Sequence, residues 1–484
     1  MLFNYKVIAN ILGILLMMNG VFMYLCIPFS LIYQEGDFIA ILEAGSITLL
    51  VGLLLFFGTK KNQDKELKKR DGYLVVTLGW LIMSFFGALP YLLSGSIPDL
   101  TNAFFETISG FSTTGATILT DIESVHKGIL FWRSLTQWIG GMGIIVLTVA
   151  ILPILGIGGM QLFVAEAPGV SPDKLQPRIK ETAKRLWLIY LGLTFAETVF
   201  LWIGGMTFYD AINHALTTMA TGGFSTKNAS IAFYDSAFIE YVIIVFMFLA
   251  GTNFTMTYFG LHGQFDKVFK NDEFRYYLGF CVVLSLIVAF GVYLTGSTVE
   301  QSFRNAAFQV VSIITTTGYI TADYTSWTPY LTLMFFVMMF FGASAGSTAG
   351  GVKIVRHIIL IKNSLLELKR QLHPNAVIPV RFNGNAVPRE ITFNILAFIM
   401  IYVLIFAVGS IIMAMLGADF NTAIGAVATC LGNIGPGLGN VGPLDNFASI
   451  SVPGKWLLSA LMLLGRLELF TVLMLFTPFF WKTN

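Results

Sequence analysis

Apolar residues along the chain are grouped into long runs, and short polar or basic stretches separate these runs from one end to the other. Crossing the hydrocarbon core of a bilayer takes about 20 residues in a helix, and several runs exceed that length. The pattern therefore predicts an all-α polytopic membrane protein with ten membrane spans. The expected spans are residues 7–33, 37–58, 72–95, 132–158, 184–205, 237–262, 275–297, 329–362, 391–416 and 456–480.

The composition supports this fold class. Hydrophobic residues make up 56% of the 484 residues, charged residues only 12%, and the mean hydropathy is +0.76. A soluble chain of this length would have several domains with polar surfaces, and this composition argues against that arrangement.

Lysine and arginine are unevenly distributed between the apolar runs. Segment 59–71 contains six of them, segment 173–185 contains five, and segment 353–389 contains seven. Cytoplasmic loops of membrane proteins carry an excess of Lys and Arg. These segments are therefore expected in the cytoplasm, and an even number of spans puts the N- and C-termini on that side too.

The stretches on the opposite, outward side have a composition of their own. Each contains a semi-apolar run that is too short to span and is rich in Thr, Ser, Gly and Ala. Such runs suggest re-entrant segments, which membrane proteins tolerate only where protein or water covers the backbone. The four outward stretches are residues 96–131, 206–236, 298–328 and 417–455.

Each outward stretch also contains a comparable glycine, within STTGAT, ATGGFST, TTTGY or NIGPGLG. An alanine stands twelve residues before each glycine, and a residue expected to cap a short helix precedes that alanine. The glycines are Gly115, Gly223, Gly318 and Gly435, and the upstream pairs are Asn102-Ala103, Asp210-Ala211, Asn305-Ala306 and Thr422-Ala423.

The glycine spacings of 108, 95 and 117 residues allow each copy two membrane helices with a short helix and an extended loop between them. Because each copy has two full spans, successive copies share one orientation, and four of them can close a pseudo-fourfold ring. We expect four parallel M1-P-M2 repeats, of the kind found in potassium channels, and an N-terminal two-helix pair. The expected boundaries are 1–60 for the pair and 72–160, 183–262, 275–366 and 389–482 for the repeats.

A ring of this kind suits cation binding. Backbone carbonyls directed at an axis can replace the water shell of a cation, and glycine permits the required backbone angles without blocking the path. The carboxyl ends of the short helices would add partial negative charge. The expected filter residues are Thr113, Thr114, Gly115, Ala116, Thr221, Gly222, Gly223, Phe224, Thr316, Thr317, Gly318, Tyr319, Asn433, Ile434, Gly435 and Pro436.

The eighth predicted span is interrupted by ten small residues, 342–351. Their glycines suit either a close helix-packing face or a broken helix that lines a cavity below the filter. We favour the broken helix as a gate, built from Gly346, Gly350, Gly351 and Lys353. Arg466 is predicted to lie deep in the membrane, where it either limits ion leak or forms a structural ion pair with another helix.

Two polar residues of the short helices have less specific roles. Glu106 in the first copy either attracts cations or braces its loop, and bracing is the favoured interpretation. His214 occupies the corresponding place in the second copy, where a structural role is expected.

These motifs resemble the Trk/Ktr/HKT superfamily of potassium transporters, most closely the bacterial Trk membrane subunits (TrkH/TrkG). The matching stretches include FETISGFSTTGAT, GASAGSTAGGVKIVR and GRLELFT. The resemblance implies a pseudo-fourfold pore in the bacterial inner membrane, a homodimer, and a cytosolic TrkA-like nucleotide-binding regulatory ring. Relatives that favour sodium often have Ser in place of the first-loop glycine, so Gly115 favours potassium.

The expected function is potassium ion uptake across the inner membrane through a single-chain filter gated by a cytosolic subunit. A proton- or sodium-coupled potassium symporter on the same scaffold stays open as the alternative. The sequence has no HExxH, Walker loop or plausible catalytic G-x-S-x-G, so we expect no enzyme activity. K⁺ is expected as the transported ion, with no organic cofactor and no nucleic-acid partner.

Overall fold

The structure, a computed structural model, describes residues 3–59, 69–146, 179–373 and 375–482. These residues are predominantly helical. Strand pairing within the described ranges is limited to one hairpin, in which Arg381–Phe382 pairs antiparallel with Asn385–Ala386. The all-α fold class is thus observed in the described part of the chain.

Within the described residues, six helices are long and apolar enough to cross a membrane, and two further helix pairs reach the same criterion only if each bent pair is counted as one span. The six are Tyr5–Tyr33, Phe38–Thr59, Arg70–Leu93, Lys184–Ile203, Asp272–Tyr293 and Arg389–Met415, where Tyr5–Tyr33 combines Tyr5–Tyr24 with Ile27–Tyr33. The bent pairs are Ala237–Gly251 with Phe254–Leu261 and Val452–Arg466 with Leu469–Phe476.

Two of the ten expected spans are therefore wrong as continuous helices. The span expected at 237–262 bends by 114°, because Thr252 is extended and Asn253 starts a new helix by accepting a hydrogen bond from the Thr255 amide. The span expected at 456–480 bends by 117°, where Glu468 has a φ of 61°. Neither break contains a proline, which is a common sequence signal of a sharp kink. The apolar pattern therefore did not reveal the two breaks.

One other expected span is only partly helical, and another extends beyond the described residues. Residues 329–362 contain a helix at Pro329–Met338 and another at Ile354–Leu372, with non-helical residues between them. The span expected at 132–158 begins within the helix Lys127–Val146, and its remainder lies outside the described residues. The predicted end of the first repeat, residue 160, also lies outside the described residues.

The N-terminal helices Tyr5–Tyr24 and Phe38–Thr59 pack closely through glycines. A Cβ on Gly13 would lie 2.8 Å from the Gly52 carbonyl oxygen, and one on Gly20 would lie 2.9 Å from the Gly45 carbonyl oxygen. Small residues let membrane helices approach at backbone distance. The pair is tied to Lys127–Val146, because the Asp37 carboxylate accepts a hydrogen bond from the Ile129 amide at 3.1 Å.

Four short helices lie in the outward stretches, and we number them 1 to 4. Their N-caps differ from the predicted ones: the capping side chains belong to Asp99, Thr207, Thr298 and Asp419. Each of these side chains accepts a hydrogen bond from the amide three residues later, so the helices start earlier than expected. Asn102, Asp210, Asn305 and Thr422 are helical residues, not caps. Short helices 1 to 4 are Leu100–Phe111, Phe208–Met219, Val299–Ile314 and Phe420–Gly432.

The predicted basic region 353–389 comprises the helix Ile354–Leu372 and the hairpin, with residue 374 outside the described part. The hairpin packs against the start of Asp272–Tyr293, since the Asp272 carboxylate accepts a hydrogen bond from the Asn383 amide at 2.9 Å.

The remaining helices are short or connect these elements. They are Phe265–Lys270 and Pro478–Trp481, with 3-10 turns at Ser230–Tyr234 and Gly439–Val441. The span Arg70–Leu93 combines Lys69–Gly87 with Leu89–Leu93, and Leu469–Phe476 combines Leu469–Leu473 with the 3-10 turn Met474–Phe476.

Candidate ion-binding ring and interrupted segment

A six-residue loop surrounds each of the four glycines, and all four loops share one backbone pattern. We number the loops 1 to 4, as residues 112–117, 220–225, 315–320 and 432–437. In each loop both the glycine and the residue two before it have positive φ, a conformation that costs most residues about 1–2 kcal/mol. The angles are 81°, 71°, 79° and 105° at Gly115, Gly223, Gly318 and Gly435, and 54°, 53°, 56° and 53° at Thr113, Thr221, Thr316 and Asn433.

Each loop is fastened to the end of its own short helix by one recurring hydrogen bond. The amide of the residue before the glycine donates to the carbonyl five residues earlier. The four bonds are Thr114 to Ser109 at 2.9 Å, Gly222 to Thr217 at 2.9 Å, Thr317 to Ser312 at 2.9 Å and Ile434 to Thr429 at 3.0 Å. The negative, carboxyl end of every short helix therefore lies next to its loop.

The loops close a ring in chain order. An ideal Cβ built on each glycine would collide with the carbonyl oxygen of the residue that precedes the glycine in the next loop. The distances are 2.1 Å from Gly115 to Gly222, 1.9 Å from Gly223 to Thr317, 1.9 Å from Gly318 to Ile434 and 2.8 Å from Gly435 to Thr114. Loop 4 thus returns to loop 1, and no side chain fits at the four glycines while the neighbouring carbonyls stay in place.

The structure brings all sixteen predicted filter residues into this ring. Fourteen are buried, and Gly115 and Gly223 are partly exposed. The side chains that follow two of the glycines face the protein behind the ring. The Tyr319 hydroxyl donates to the His214 carbonyl at 3.0 Å, and the Phe224 ring lies 3.5 Å from the Arg133 guanidinium.

Glu106 has the contacts of a brace. Its carboxylate accepts hydrogen bonds from Arg133 Nε at 2.6 Å, from the Ile118 amide at 2.9 Å and from the Thr117 hydroxyl at 2.9 Å. Glu106 and Arg133 are both buried. A buried ion pair of this kind fixes the chain leaving loop 1, and removing one partner would leave an uncompensated charge.

The corresponding residues of copies 2 and 3 make similar contacts. The Nε2 atom of His214 lies 2.9 Å from the Ser225 hydroxyl, and Gln309 Nε2 donates to the Thr321 hydroxyl at 3.3 Å. In copy 4 the same position, nine residues before the glycine, holds Ala426. The structural role expected for His214 agrees with these contacts.

One contact residue of the ring was not predicted. Gln137, on the helix Lys127–Val146, donates from Nε2 to the Gly222 carbonyl at 2.7 Å and accepts at Oε1 from the Phe224 amide at 3.0 Å. Its separation from loop 2 by 85 and 87 residues leaves no local sequence signal for this contact.

Residues 339–353, which we call the interrupted segment, separate Pro329–Met338 from Ile354–Leu372. The segment folds back on itself, because the Gly342 amide donates to the Val352 carbonyl at 2.7 Å and the Ile354 amide donates to the Ala343 carbonyl at 3.1 Å. The broken-helix geometry expected for the small residues is therefore observed, in place of a continuous packing face.

The interrupted segment contacts three of the four copies. The Gly350 amide donates to the Thr316 hydroxyl at 2.7 Å, and a Cβ on Gly350 would lie 2.6 Å from Asn433 Cβ. The Thr348 hydroxyl donates to the Met219 carbonyl, at the end of short helix 2, at 2.9 Å. The segment thus packs against the ring at Thr316 and Asn433, which stand two positions before the glycines of loops 3 and 4.

The predicted gate residues all lie in or on this segment. Gly346 and Gly351 have positive φ, and the buried Lys353 ammonium donates to the Ala349 carbonyl. Arg466 is also buried, and it donates from Nη1 to the Thr348 carbonyl at 2.8 Å and from Nη2 to the Gly140 carbonyl at 3.1 Å.

Arg466 therefore joins the interrupted segment to the helix Lys127–Val146 through backbone carbonyls. The ion pair in this region is formed by its neighbour Glu468, which binds Arg356. In the described part of the chain, two backbone carbonyls bind the Arg466 guanidinium, in place of the ion pair that was considered for it.

Comparison with known proteins places this architecture in a family. A family model described as "TrkH: Cation transport protein" matches residues 39–483. The Trk system potassium uptake protein TrkH of Salmonella typhimurium is 43% identical over 99% of this chain and all of its own length. The TrkG protein of Escherichia coli K12 is 33% identical over 99% of both chains.

A solved structure agrees with the fold. The crystal structure of the potassium transporter TrkH from Vibrio parahaemolyticus matches with a TM-score of 0.90 and 38% identity, covering 99% of this chain and all of that one. These relatives are named as transporters and not as enzymes, as the sequence predicts. Because the family model matches residues 39–483, this chain is a multi-pass membrane protein that belongs to the TrkH family of cation transport proteins.

Proposed function

We propose that the chain carries out potassium uptake by conducting K⁺ through the four-loop ring. The closed order of the loops is the observation that carries this proposal, because each glycine leaves room for the carbonyl oxygen of the next loop. The relatives named as Trk system potassium uptake proteins support K⁺ as the transported ion.

Carbonyl oxygens are suitable ligands for an ion that must shed its water and then leave again. The candidate ligands are the carbonyls of Thr114, Gly222, Thr317 and Ile434, which alternate with the glycines around the ring. Four helix carboxyl ends next to the loops add partial negative charge. One glycine per loop is common to all copies, so the filter is shorter than a full potassium-channel filter and its selectivity is expected to be looser.

The wider architecture belongs to the same proposal. Two full spans, a short helix and a loop would make each M1-P-M2 repeat, with the two-helix pair 1–60 outside the ring. The basic segments favour cytoplasmic termini in a bacterial inner membrane. By resemblance to its family the chain forms a homodimer, and region 353–389 is our preferred surface for a cytosolic TrkA-like nucleotide-binding ring.

The interrupted segment is proposed as the gate. It packs against the ring through Thr316 and Asn433, and Arg466 holds it from the side. Since the segment contains small residues and turns back on itself, it can move without unwinding a long helix. Regulation from the cytosol would act on the helix Ile354–Leu372 that follows it.

A proton-coupled symporter is the second candidate, and one buried carboxyl group favours it. Glu197 lies within the span Lys184–Ile203 and is fully buried, and its hydrogen-bonding neighbour is Thr218 of short helix 2. Buried ionisable groups in membrane spans are frequently part of proton pathways. The predicted spans contain few carboxylates, Glu43, Glu197 and Glu468 among them, and these suggest no obvious proton relay. Passive conduction is therefore the leading proposal.

Ion flux through the purified full-length chain in liposomes tests both candidates. We expect K⁺ to pass faster than Na⁺ and the reversal potential to be independent of pH. A reversal potential that moves with pH would favour proton symport, K⁺ uptake that requires Na⁺ would favour sodium symport, and equal K⁺ and Na⁺ flux would contradict the potassium filter.

A further inference from the structure

Loop 2 differs from the other loops at the residue before the glycine. Loops 1 and 3 have Thr114 and Thr317 there and loop 4 has Ile434, whereas loop 2 has Gly222 and no side chain. The carbonyl of this residue is the one that faces the glycine of the preceding loop. Loop 2 therefore lacks a side chain to anchor one of the four candidate ligands.

In loops 1 and 3 that side chain is held by a second hydroxyl. The Thr114 hydroxyl lies 2.7 Å from the Ser112 hydroxyl, and the Thr317 hydroxyl lies 2.8 Å from the Thr315 hydroxyl. In loop 2 the partner position is Ala220, so both halves of the hydroxyl pair are missing.

Gln137 occupies the vacant space. The three atoms nearest to a Cβ built on Gly222 all belong to Gln137, with Cδ at 2.4 Å. Gln137 is fully buried. Its amide group donates to the Gly222 carbonyl and accepts from the Phe224 amide, so it spans the backbone on both sides of Gly223.

The Gly222 carbonyl is also part of the ring, because its oxygen lies 2.1 Å from the Cβ position of Gly115. A carbonyl oxygen has two lone pairs. A donor on one of them fixes the direction of the group and leaves the other lone pair for an ion.

We infer that Gln137 is a positioning residue for ion selection: it replaces the missing side chain of loop 2 and sets the direction of the Gly222 carbonyl. The inference rests on the proposed function of the ring. Glutamine suits the task because its amide carries a donor and an acceptor on one planar group. Methionine of similar length has neither a comparable donor nor a strong acceptor.

The first test replaces Gln137 with Met and measures K⁺ and Na⁺ flux in liposomes. We expect the K⁺/Na⁺ flux ratio to fall by about tenfold, the factor that corresponds to about 1.4 kcal/mol of lost discrimination. Ser134→Ala should keep the wild-type ratio, because Ser134 is buried on the same helix and its hydroxyl donates to the Leu130 carbonyl of that helix at 3.3 Å. A monodisperse Gln137→Met protein with an unchanged ratio would overturn the inference.

The second test moves the anchor of loops 1 and 3 into loop 2. The variant Gln137→Ala/Ala220→Ser/Gly222→Thr removes the glutamine and supplies the hydroxyl pair, and Gly222 does not need positive φ, so Thr can adopt its backbone. We expect its flux ratio to return to within about twofold of wild type. A folded triple variant that stays unselective contradicts the inference.

Gly318→Ala separates this inference from the proposed function. If Gly318→Ala lowers the flux ratio and Gln137→Met does not, the filter stands and the role of Gln137 is wrong. If neither variant changes the ratio, the ring itself is not the selective site.

Discussion

Gly318→Ala is expected to abolish selective potassium uptake. The glycine has a φ of 79°, and a Cβ would lie 1.9 Å from the Ile434 carbonyl oxygen and 2.8 Å from Pro436. Backbone contacts of this kind cannot yield as a flexible side chain does, so loops 3 and 4 must separate. We expect the K⁺/Na⁺ flux ratio in liposomes to fall by about tenfold or more, which corresponds to about 1.4 kcal/mol of lost discrimination.

A matched control is available at Gly296. It has a φ of 101° but no heavy atom within 4 Å of its Cβ position, so alanine there imposes backbone strain without a collision. Gly296→Ala should lower stability by about 1–2 kcal/mol and leave the flux ratio unchanged. Retained selectivity in Gly318→Ala would show that the ring contacts do not determine ion choice.

Arg466→Gln is expected to raise ion flux without changing the preferred ion. The substitution weakens the bonds that hold the Thr348 and Gly140 carbonyls together. Hydrogen bonds to a charged group contribute about 1.5–3 kcal/mol, enough to shift an open–closed equilibrium by about tenfold or more. Initial K⁺ flux in liposomes measures the effect, and the unchanged K⁺/Na⁺ ratio separates gating from filter damage.

Lys455→Gln is the control for this prediction, since Lys455 is a buried cation on the same helix that bonds to Asn102 and Ala448 instead. It should leave the flux unchanged. Deleting residues 346–350 removes the proposed obstruction directly and should raise flux in the same way. Low flux from folded Arg466→Gln, together with unchanged flux from the deletion, would leave the interrupted segment with a structural role only.

The four glycines were predictable because they combine a local requirement with a repeated context. Each stands twelve residues after an alanine in a short amphipathic helix, and each adopts the positive φ that glycine permits. The caps were misplaced because Asn102 and Asp210 are good capping types, yet Asp99 and Thr207 lie three residues earlier and receive the bonds. Ion binding at the ring stays a prediction.

The helix breaks were less accessible to sequence reasoning. The ten small residues of the eighth span gave a visible signal, and the structure shows the helix ending before them, at Met338. The bends at Thr252 and Glu468 occur within apolar runs, and tertiary contacts account for them. The Phe254 amide bonds to the Gly346 carbonyl, and Glu468 pairs with Arg356.

The contacts of Gln137 and Arg466 are the part that sequence could not supply. Gln137 bonds to backbone groups more than 80 residues away, and Arg466 bonds to carbonyls 118 and 326 residues away. Any residue presents a backbone carbonyl, so no residue type marks such a partner in advance. Only the tertiary structure identifies which carbonyls these side chains reach.

The central claim is that one chain surrounds a cation with four backbone carbonyls, and the anomalous signal of bound Rb⁺ tests it most directly. Crystals of the full-length chain grown in a rubidium salt should show one peak at the ring, in direct coordination distance of the carbonyl oxygens of Thr114, Gly222, Thr317 and Ile434. Gly318→Ala crystals should lack that peak. Rubidium bound elsewhere in the chain, with an empty ring in the wild-type protein, would contradict the account.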